Sequence, residues 1–264
     1  MGVRLYAMNC GWLTMPLGFA LPGGKGTIRV PVPCYLVDHP RGKALFDTGM
    51  HVASQSDAAA YLGGFAAFFQ VHFEPGEEIA ARLEKLGIDQ REILYLVNSH
   101  LHFDHVGGNA QIPDVPIVIQ RKEWEAGREP DLIQSCGYKP TDYDLGQDVI
   151  QVAGEHDLFG DGSAVCLPTY GHTPGHQMVF VRLSGGEEFL FIGDIGWSLD
   201  NITELKTRPA STATRIKEDP QALMHQMIWI KQVMDADGIF VVPSHDDVLL
   251  TKYVEDGLFG QLLR

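Results

Sequence analysis

Between Asn98 and Asn109 the chain reads NSHLHFDHVGGN, which places His100, His102, Asp104 and His105 inside six residues. Imidazole and carboxylate side chains are costly to bury together unless something compensates them, and a divalent cation suits this mixture of nitrogen and oxygen donors. With 11 histidines in 264 residues, three at these fixed offsets arise by chance in only about 2% of such chains, and the added aspartate lowers this to the order of 10⁻³. The turn therefore constrains the fold: the rest of the chain must bring further ligands to it. His100 and His102 can share one metal, and Asp104 and His105 can turn to a second, but four ligands from one turn close neither site.

The candidates for the remaining positions stand at the ends of strand-like runs. ILYLVNSH delivers His100, AVCLPT runs into GHTPGH with His172, EEFLFIGD ends at Asp194, and IFVVPSHD presents His245. Sheet-based enzymes keep their sites just past such strand ends. RVPVPCYLVDH and KALFDTG read as a hairpin across Pro40-Arg41-Gly42, and QMVFVRL and EEFLFIGD as strands around Ser184-Gly185-Gly186. GEEIAARLEKLGI is amphipathic, with Ile79, Leu83 and Leu86 on one face and Gly87 suited to the cap. DPQALMHQMIWIKQVMDADG has Asp219 as N-cap, Pro220 at the first position, Gly238 at its end, and a stripe of Leu223, Met227, Ile230 and Met234 that reads as core. Stretches 49–75, 127–148 and 197–217 break this rhythm and read as surface insertions around the site mouth. No linker divides the chain, so one domain over 1–264 is expected.

A formal charge of −14 repels phosphate backbones and excludes nucleic acid as a partner unless a local basic patch offsets it. No apolar run reaches the roughly 20 residues that span a bilayer. The four cysteines, Cys10, Cys34, Cys136 and Cys166, show no C-x-x-C spacing and read as reduced, mostly buried thiols. A soluble, cytoplasmic protein with no membrane partner is expected.

H-L-H-F-D-H, G-H-T-P-G-H, G-D and S-H, in this order, resemble the metallo-β-lactamase superfamily over nearly the whole chain. The resemblance implies an α/β (α+β) fold, a four-layer αββα sandwich. It places His100, His102 and His172 on one metal and Asp104, His105 and His245 on the other, with Asp194 bridging. Asp47, in DTG, matches a position whose acid orients a ligand histidine without binding metal. RLYAMNCGWL, PVPCYLVDHPRGKALFDTGM, LVNSHLHFDHVGGN and PIVIQRKEWEA are similar to the N-acyl-homoserine lactonase branch. In that branch a tyrosine three residues after the bridging aspartate reaches the substrate carbonyl, and here Trp197 stands in its place. Indole donates a hydrogen bond but neither accepts one nor ionises.

The activity so implied is opening of a lactone ring, an N-acyl-homoserine lactone by this resemblance, by a hydroxide shared between two divalent ions, most simply zinc. Asp104 would pass a proton to the leaving oxygen, and Trp197 would act either as a donor or as an apolar wall. Met15, Phe68, Phe69 and Phe103 are the expected acyl-chain contacts, with Trp12, Leu17, Phe19, Phe65 and Phe73 nearby in sequence. Core packing or a homodimer surface is the competing reading of these residues. His39, His51, His72, His156, His176 and His225 carry no ligand role in this reading, and structural duty is expected of His176. Other lactonases, a thioester hydrolase of the glyoxalase type and a mononuclear-iron persulfide dioxygenase share parts of the pattern. The short tail after His245 opposes the glyoxalase type, and a dioxygenase would consume oxygen and need one iron.

Overall fold

A computed structural model describes residues 2–256, 259 and 262–263. The first sheet contains β1 (Arg4–Pro16), β2 (Thr27–His39), β3 (Gly42–Phe46), β4 (Gln70–His72), β5 (Ile93–Val97), β6 (Ile117–Gln120) and β7 (Val149–Val152). The second contains β8 (His156–Asp157), β9 (Ala164–Pro168), β10 (Gln177–Arg182), β11 (Glu188–Gly193) and β12 (Phe240–Pro243), while β13 (Leu262–Leu263) pairs with β1 in the first. The strand order is β13-β1-β2-β3-β5-β6-β7 in one sheet, with β4 on β1, and β12-β11-β10-β9-β8 in the other.

Side chains on a strand alternate between its faces, and that period assigns the layers. Along β2, Tyr35 and Val37 face a core shared with Phe189 and Phe191 of β11, whereas Cys34 and Leu36 face a separate cluster with Ile79, Leu83 and Trp124. Along β11 the intervening Leu190 and Ile192 pack on Leu223, Met227 and Ile230. The two sheets therefore pack face to face with helices outside each, which is the expected four-layer αββα arrangement.

The local signals act as read. His39 pairs with Gly42 across the predicted hairpin, and β10 and β11 run antiparallel around Ser184–Gly186. Helix Pro220–Asp237 starts where Asp219 accepts from the backbone N–H groups of Gln221 and Ala222, and ends at Gly238 with φ of 68°. All four cysteines are buried and free. No helix among the described residues is long and apolar enough to cross a membrane.

The three stretches read as surface insertions are more than that. Segment 49–75 folds as helix Ala53–Leu62, a 3₁₀ turn and β4, which joins the first sheet. Segment 127–148 buries Cys136, Tyr138 and Tyr143, and segment 197–217 buries Ile202, Arg208 and Thr212. Together they roof one end of the sandwich, the end at which β3, β5, β9, β11 and β12 all terminate.

Candidate metal centre

The histidine turn is shaped by its two ends. Asn109 Nδ2 donates to Asn98 Oδ1 at 2.9 Å, and Asn109 Oδ1 accepts from Thr48 Oγ1 at 2.8 Å, so the first and last residues of NSHLHFDHVGGN clasp each other. A Cβ on Gly107 would lie 2.3 Å from His51 N, and one on Gly108 would lie 2.3 Å from Thr48 O. Both glycines thus permit the turn to press against the segment after β3. His102 immediately precedes the short helix Phe103–Val106, which carries Asp104 and His105.

The strand-end residues meet this turn. His100, His102, His172 and Asp194 form one group of donors and Asp104, His105 and His245 another, with the ligand atoms of each group within 4.8 Å of one another. His102 Nδ1 lies 2.9 Å from His100 Nε2 and 3.2 Å from His172 Nε2. Asp194 stands between the groups: its Oδ2 is 3.4 Å from His172 Nε2, and its Oδ1 is 3.3 Å from His105 Nε2 and 3.4 Å from His245 Nε2. Asp104 approaches His245 at 3.8 Å and His105 at 3.9 Å. His105 Nε2 and Asp194 Oδ1 are buried and make no hydrogen bond, despite their proximity. Buried orphans of this kind are rare in a settled core and are satisfied by a cation. The residues therefore fit a metal site.

Three of the imidazoles are aimed from behind. His105 Nδ1 donates to Asp47 Oδ2 at 2.8 Å, and Asp47 in turn accepts from the backbone N–H and hydroxyl of Ser99, both at 2.7 Å. Asp47 adopts φ of 58°, a left-handed conformation that aspartate tolerates better than most residues and that turns its carboxylate toward the site. His172 Nδ1 meets Glu218 Oε1 at 3.0 Å, and His245 Nδ1 meets the Pro31 carbonyl at 2.7 Å. These contacts fix which nitrogen faces the site. His102 differs, since its Nε2 has no hydrogen-bond partner and its ring packs near Tyr138. His176 has a defined duty: its Nε2 accepts from the backbone N–H of Asp194 at 3.2 Å, while its Nδ1 pairs with Thr169 Oγ1 at 2.8 Å.

Sequence reasoning missed three supporting charges. Glu123, fully buried in helix Arg121–Ala126, accepts from Thr173 Oγ1, Gly175 N and Tyr138 Oη at 2.8 Å and from Leu101 N at 3.1 Å, and so ties the histidine turn to the GHTPGH loop. Arg208 and Glu218 form a buried ion pair behind His172. The signal for Glu123 was its place beside Trp124 at the start of a helix after a buried strand; for Arg208 and Glu218 no local pattern stands out.

Electrostatics follow the geometry. Burial, together with neighbouring histidines, pushes the imidazoles of His100 and His102 well down, which keeps them neutral and able to ligate. For His105 and His245 burial also pushes down, but Asp194 and the nearby acids prevail and hold a proton, which a cation would displace. Burial lifts the Asp104 carboxyl above the usual carboxylate range. Burial also pushes Glu218 up, but Arg208 and His172 outweigh it and leave the carboxyl at about 2.

A pocket opens directly onto both donor groups. His102, Asp104, His172, Asp194 and His245 form its floor, and Met15, Phe19, Phe65, Phe69, Phe103, Trp197 and Ile216 its walls, with Cys136 and Gly137 completing them. Met15, Phe69 and Phe103 line it. Phe68 does not: it sits behind Phe19, ring centroids 5.9 Å apart, with the Arg215 guanidinium 4.3 Å from its ring. Phe73 is buried and packs in the cluster beneath the pocket, and Trp12 lies under the guanidinium of Arg29, away from the lining. Trp197 points its N–H at Asp194 Oδ2, 2.7 Å away, and stacks on Phe19 at 6.1 Å and 19°.

The sequence profile of the metallo-beta-lactamase superfamily matches residues 27–246. This chain belongs to the metallo-beta-lactamase superfamily. Its relatives include the N-acyl homoserine lactonase AttM of Azorhizobium caulinodans, 30% identical over 256 residues that cover 92% of this chain and 93% of AttM. The N-acyl homoserine lactonase of Bacillus thuringiensis is 27% identical over 86% of this chain and 85% of its own. Among solved structures, an N-acyl homoserine lactone hydrolase with the product N-hexanoyl-L-homoserine at its catalytic metal center superposes with a TM-score of 0.81 at 24% identity, covering 96% and 97% of the two chains. AidC, a dizinc quorum-quenching lactonase, gives 0.67 at 17% identity over 93% and 88%. At these identities the likeness to solved structures speaks to the fold.

Proposed function

We propose that this protein is a dinuclear-metal lactonase that opens the ring of an N-acyl homoserine lactone. The observation that carries the reading is the joining of two features: an apolar pocket, and a floor on which the two oxygens of Asp194 face separate groups of donors. The names of the relatives support the substrate class. Five imidazoles and two carboxylates suit zinc, with His100, His102 and His172 holding one ion, Asp104, His105 and His245 the other, and Asp194 shared.

Ions held there supply a water that ionises near neutral pH and a Lewis acid for the ester carbonyl. The chain's own residues do the rest. Asp104 lines the pocket between His105 and His245, so its carboxylate is suited to take the proton that the attacking water gives up and to pass it to the ring oxygen as the ester opens. Trp197 gives the pocket a flat apolar wall and directs its N–H to Asp194, in place of a group reaching toward the substrate. Met15, Phe19, Phe65, Phe69 and Phe103 exclude water and receive an acyl chain.

The test is a hydrolysis panel of N-acyl homoserine lactones, simple γ-lactones, thioesters and a β-lactam, followed by proton release. Lactone opening with about two ions per chain is the expected result. Cleavage of thioesters without lactones, or oxygen uptake with a single iron, would overturn the assignment.

A further inference from the structure

Arg208 lies between helices Leu199–Thr203 and Ala210–Arg215 and is 5% exposed. An arginine is almost never buried unless its fork is engaged on several sides. Here Nε donates to Glu218 Oε1 at 2.9 Å, and Nη2 donates to the backbone carbonyl of Asp194 at 2.8 Å while also pairing with Glu218 Oε1. The guanidinium rests 4.9 Å from the Trp197 ring centroid. Each of these partners reaches the donor set in one further step. Glu218 meets His172 Nδ1 at 3.0 Å, and Trp197 donates to Asp194 Oδ2 at 2.7 Å. One buried cation therefore touches the bridging aspartate from its backbone side and supports the indole that grips its carboxylate. The same cation backs His172 of the floor, directly with Nη2 3.1 Å from its Nδ1 and again through Glu218.

We propose that Arg208 is a positioning residue of the metal centre, a single clamp that sets the orientation of Asp194 and His172 together. The proposal rests on the metal-site reading above. A planar fork can hold Glu218 and the Asp194 carbonyl while packing on an indole, so lysine would replace its charge but not its geometry. Trp197 then has a defined role: its N–H and its ring are both engaged in keeping Asp194 still.

The experiment measures zinc affinity by competition with a chromophoric chelator, together with kcat and KM on a lactone at saturating zinc. The proteins are wild type, Arg208→Met, Arg208→Lys, Trp197→Phe and the double variant Arg208→Met with Glu218→Gln. Removing a group that orients metal ligands costs about 10–100-fold in affinity, and Arg208→Met is expected in that range. Arg208→Lys should recover only part of it, and Trp197→Phe should lose less than Arg208→Met. KM should hold while kcat falls, and the visible spectrum of the cobalt-substituted protein should shift in Arg208→Met. The double variant strands no buried charge, so it keeps the test open if Arg208→Met alone fails to fold. Wild-type zinc affinity and an unshifted cobalt spectrum in a folded Arg208→Met or double variant would overturn the clamp while leaving the lactonase reading intact. A wild-type protein that takes up no divalent ion would overturn the site reading and the clamp with it.

Discussion

The floor and the walls of the pocket are built on opposite principles. On the floor, three donor side chains and one backbone have a named partner behind them: Asp47 for His105, Glu218 for His172, the Pro31 carbonyl for His245, and His176 for the backbone of Asp194. The walls hold Met15, Phe19, Phe65, Phe69 and Phe103 by contact alone, with no directional bond to set their rotamers. A polar group misplaced by an ångström loses its bond, whereas an apolar wall yields a little at every atom. Chemistry should accordingly be brittle to substitution below and substrate choice graded above.

The sharpest way to break this contrast is on the floor. Asp194→Asn or His102→Ala should remove metal from the purified protein and lower the rate by at least about 10³-fold. Elemental analysis and steady-state kinetics read both, and full activity in either variant would refute the coordination. Next, Asp47→Asn removes the charge behind His105 without touching a ligand atom, and should weaken zinc binding by about 10–100-fold. Glu123→Gln offers an amide where Gly175 N–H needs an acceptor, and should destabilise the fold by about 2 kcal/mol in denaturant unfolding. On the walls the expected effects are smaller. KM should fall about fourfold, about 0.8 kcal/mol, for each methylene the acyl chain buries, and Phe69→Ser should flatten that dependence while leaving kcat nearly unchanged. A kcat that collapsed with Phe69→Ser would mean that walls and floor are one unit.

Acid separates the regions too. The Glu218 carboxyl lies at about 2 in the folded chain, below its ordinary value of 4.5. Its folded-state value is depressed, so its contribution to stability is complete above about pH 4.5 and is lost as pH falls toward 2. The melting temperatures of wild type and Glu218→Gln should therefore differ at neutral pH and converge on acidification, whereas a wall variant such as Phe69→Ser should keep its offset.

How much of this could be read from the residues follows the same division. The gathering of donors was legible at the histidine turn because they are contiguous there, and at His172, Asp194 and His245 because each follows an apolar run that reads as a strand. Arg208 and Glu218 were not, because a charged residue in an aperiodic stretch looks like a solvated one until the fold buries it. Glu123 has the same difficulty, since RKEWEA shows a helix but not which charge turns inward. Phe68 and Phe69 show the limit most plainly. They follow a short 3₁₀ turn whose phase no repeating pattern fixes, so nothing local says that Phe69 faces the pocket and Phe68 turns behind Phe19.

The donors come from both sheets: His100, His102, Asp104 and His105 follow β5 of the first, whereas His172, Asp194 and His245 follow β9, β11 and β12 of the second. Ions seated there would rivet the two halves of the sandwich at one rim, leaving the far rim to hydrophobic contact and to Asp161, which meets His39 and Arg41 across it. Loss of metal then loosens a seam as well as silencing a reaction, and amide exchange on stripping the ions should quicken first along that rim.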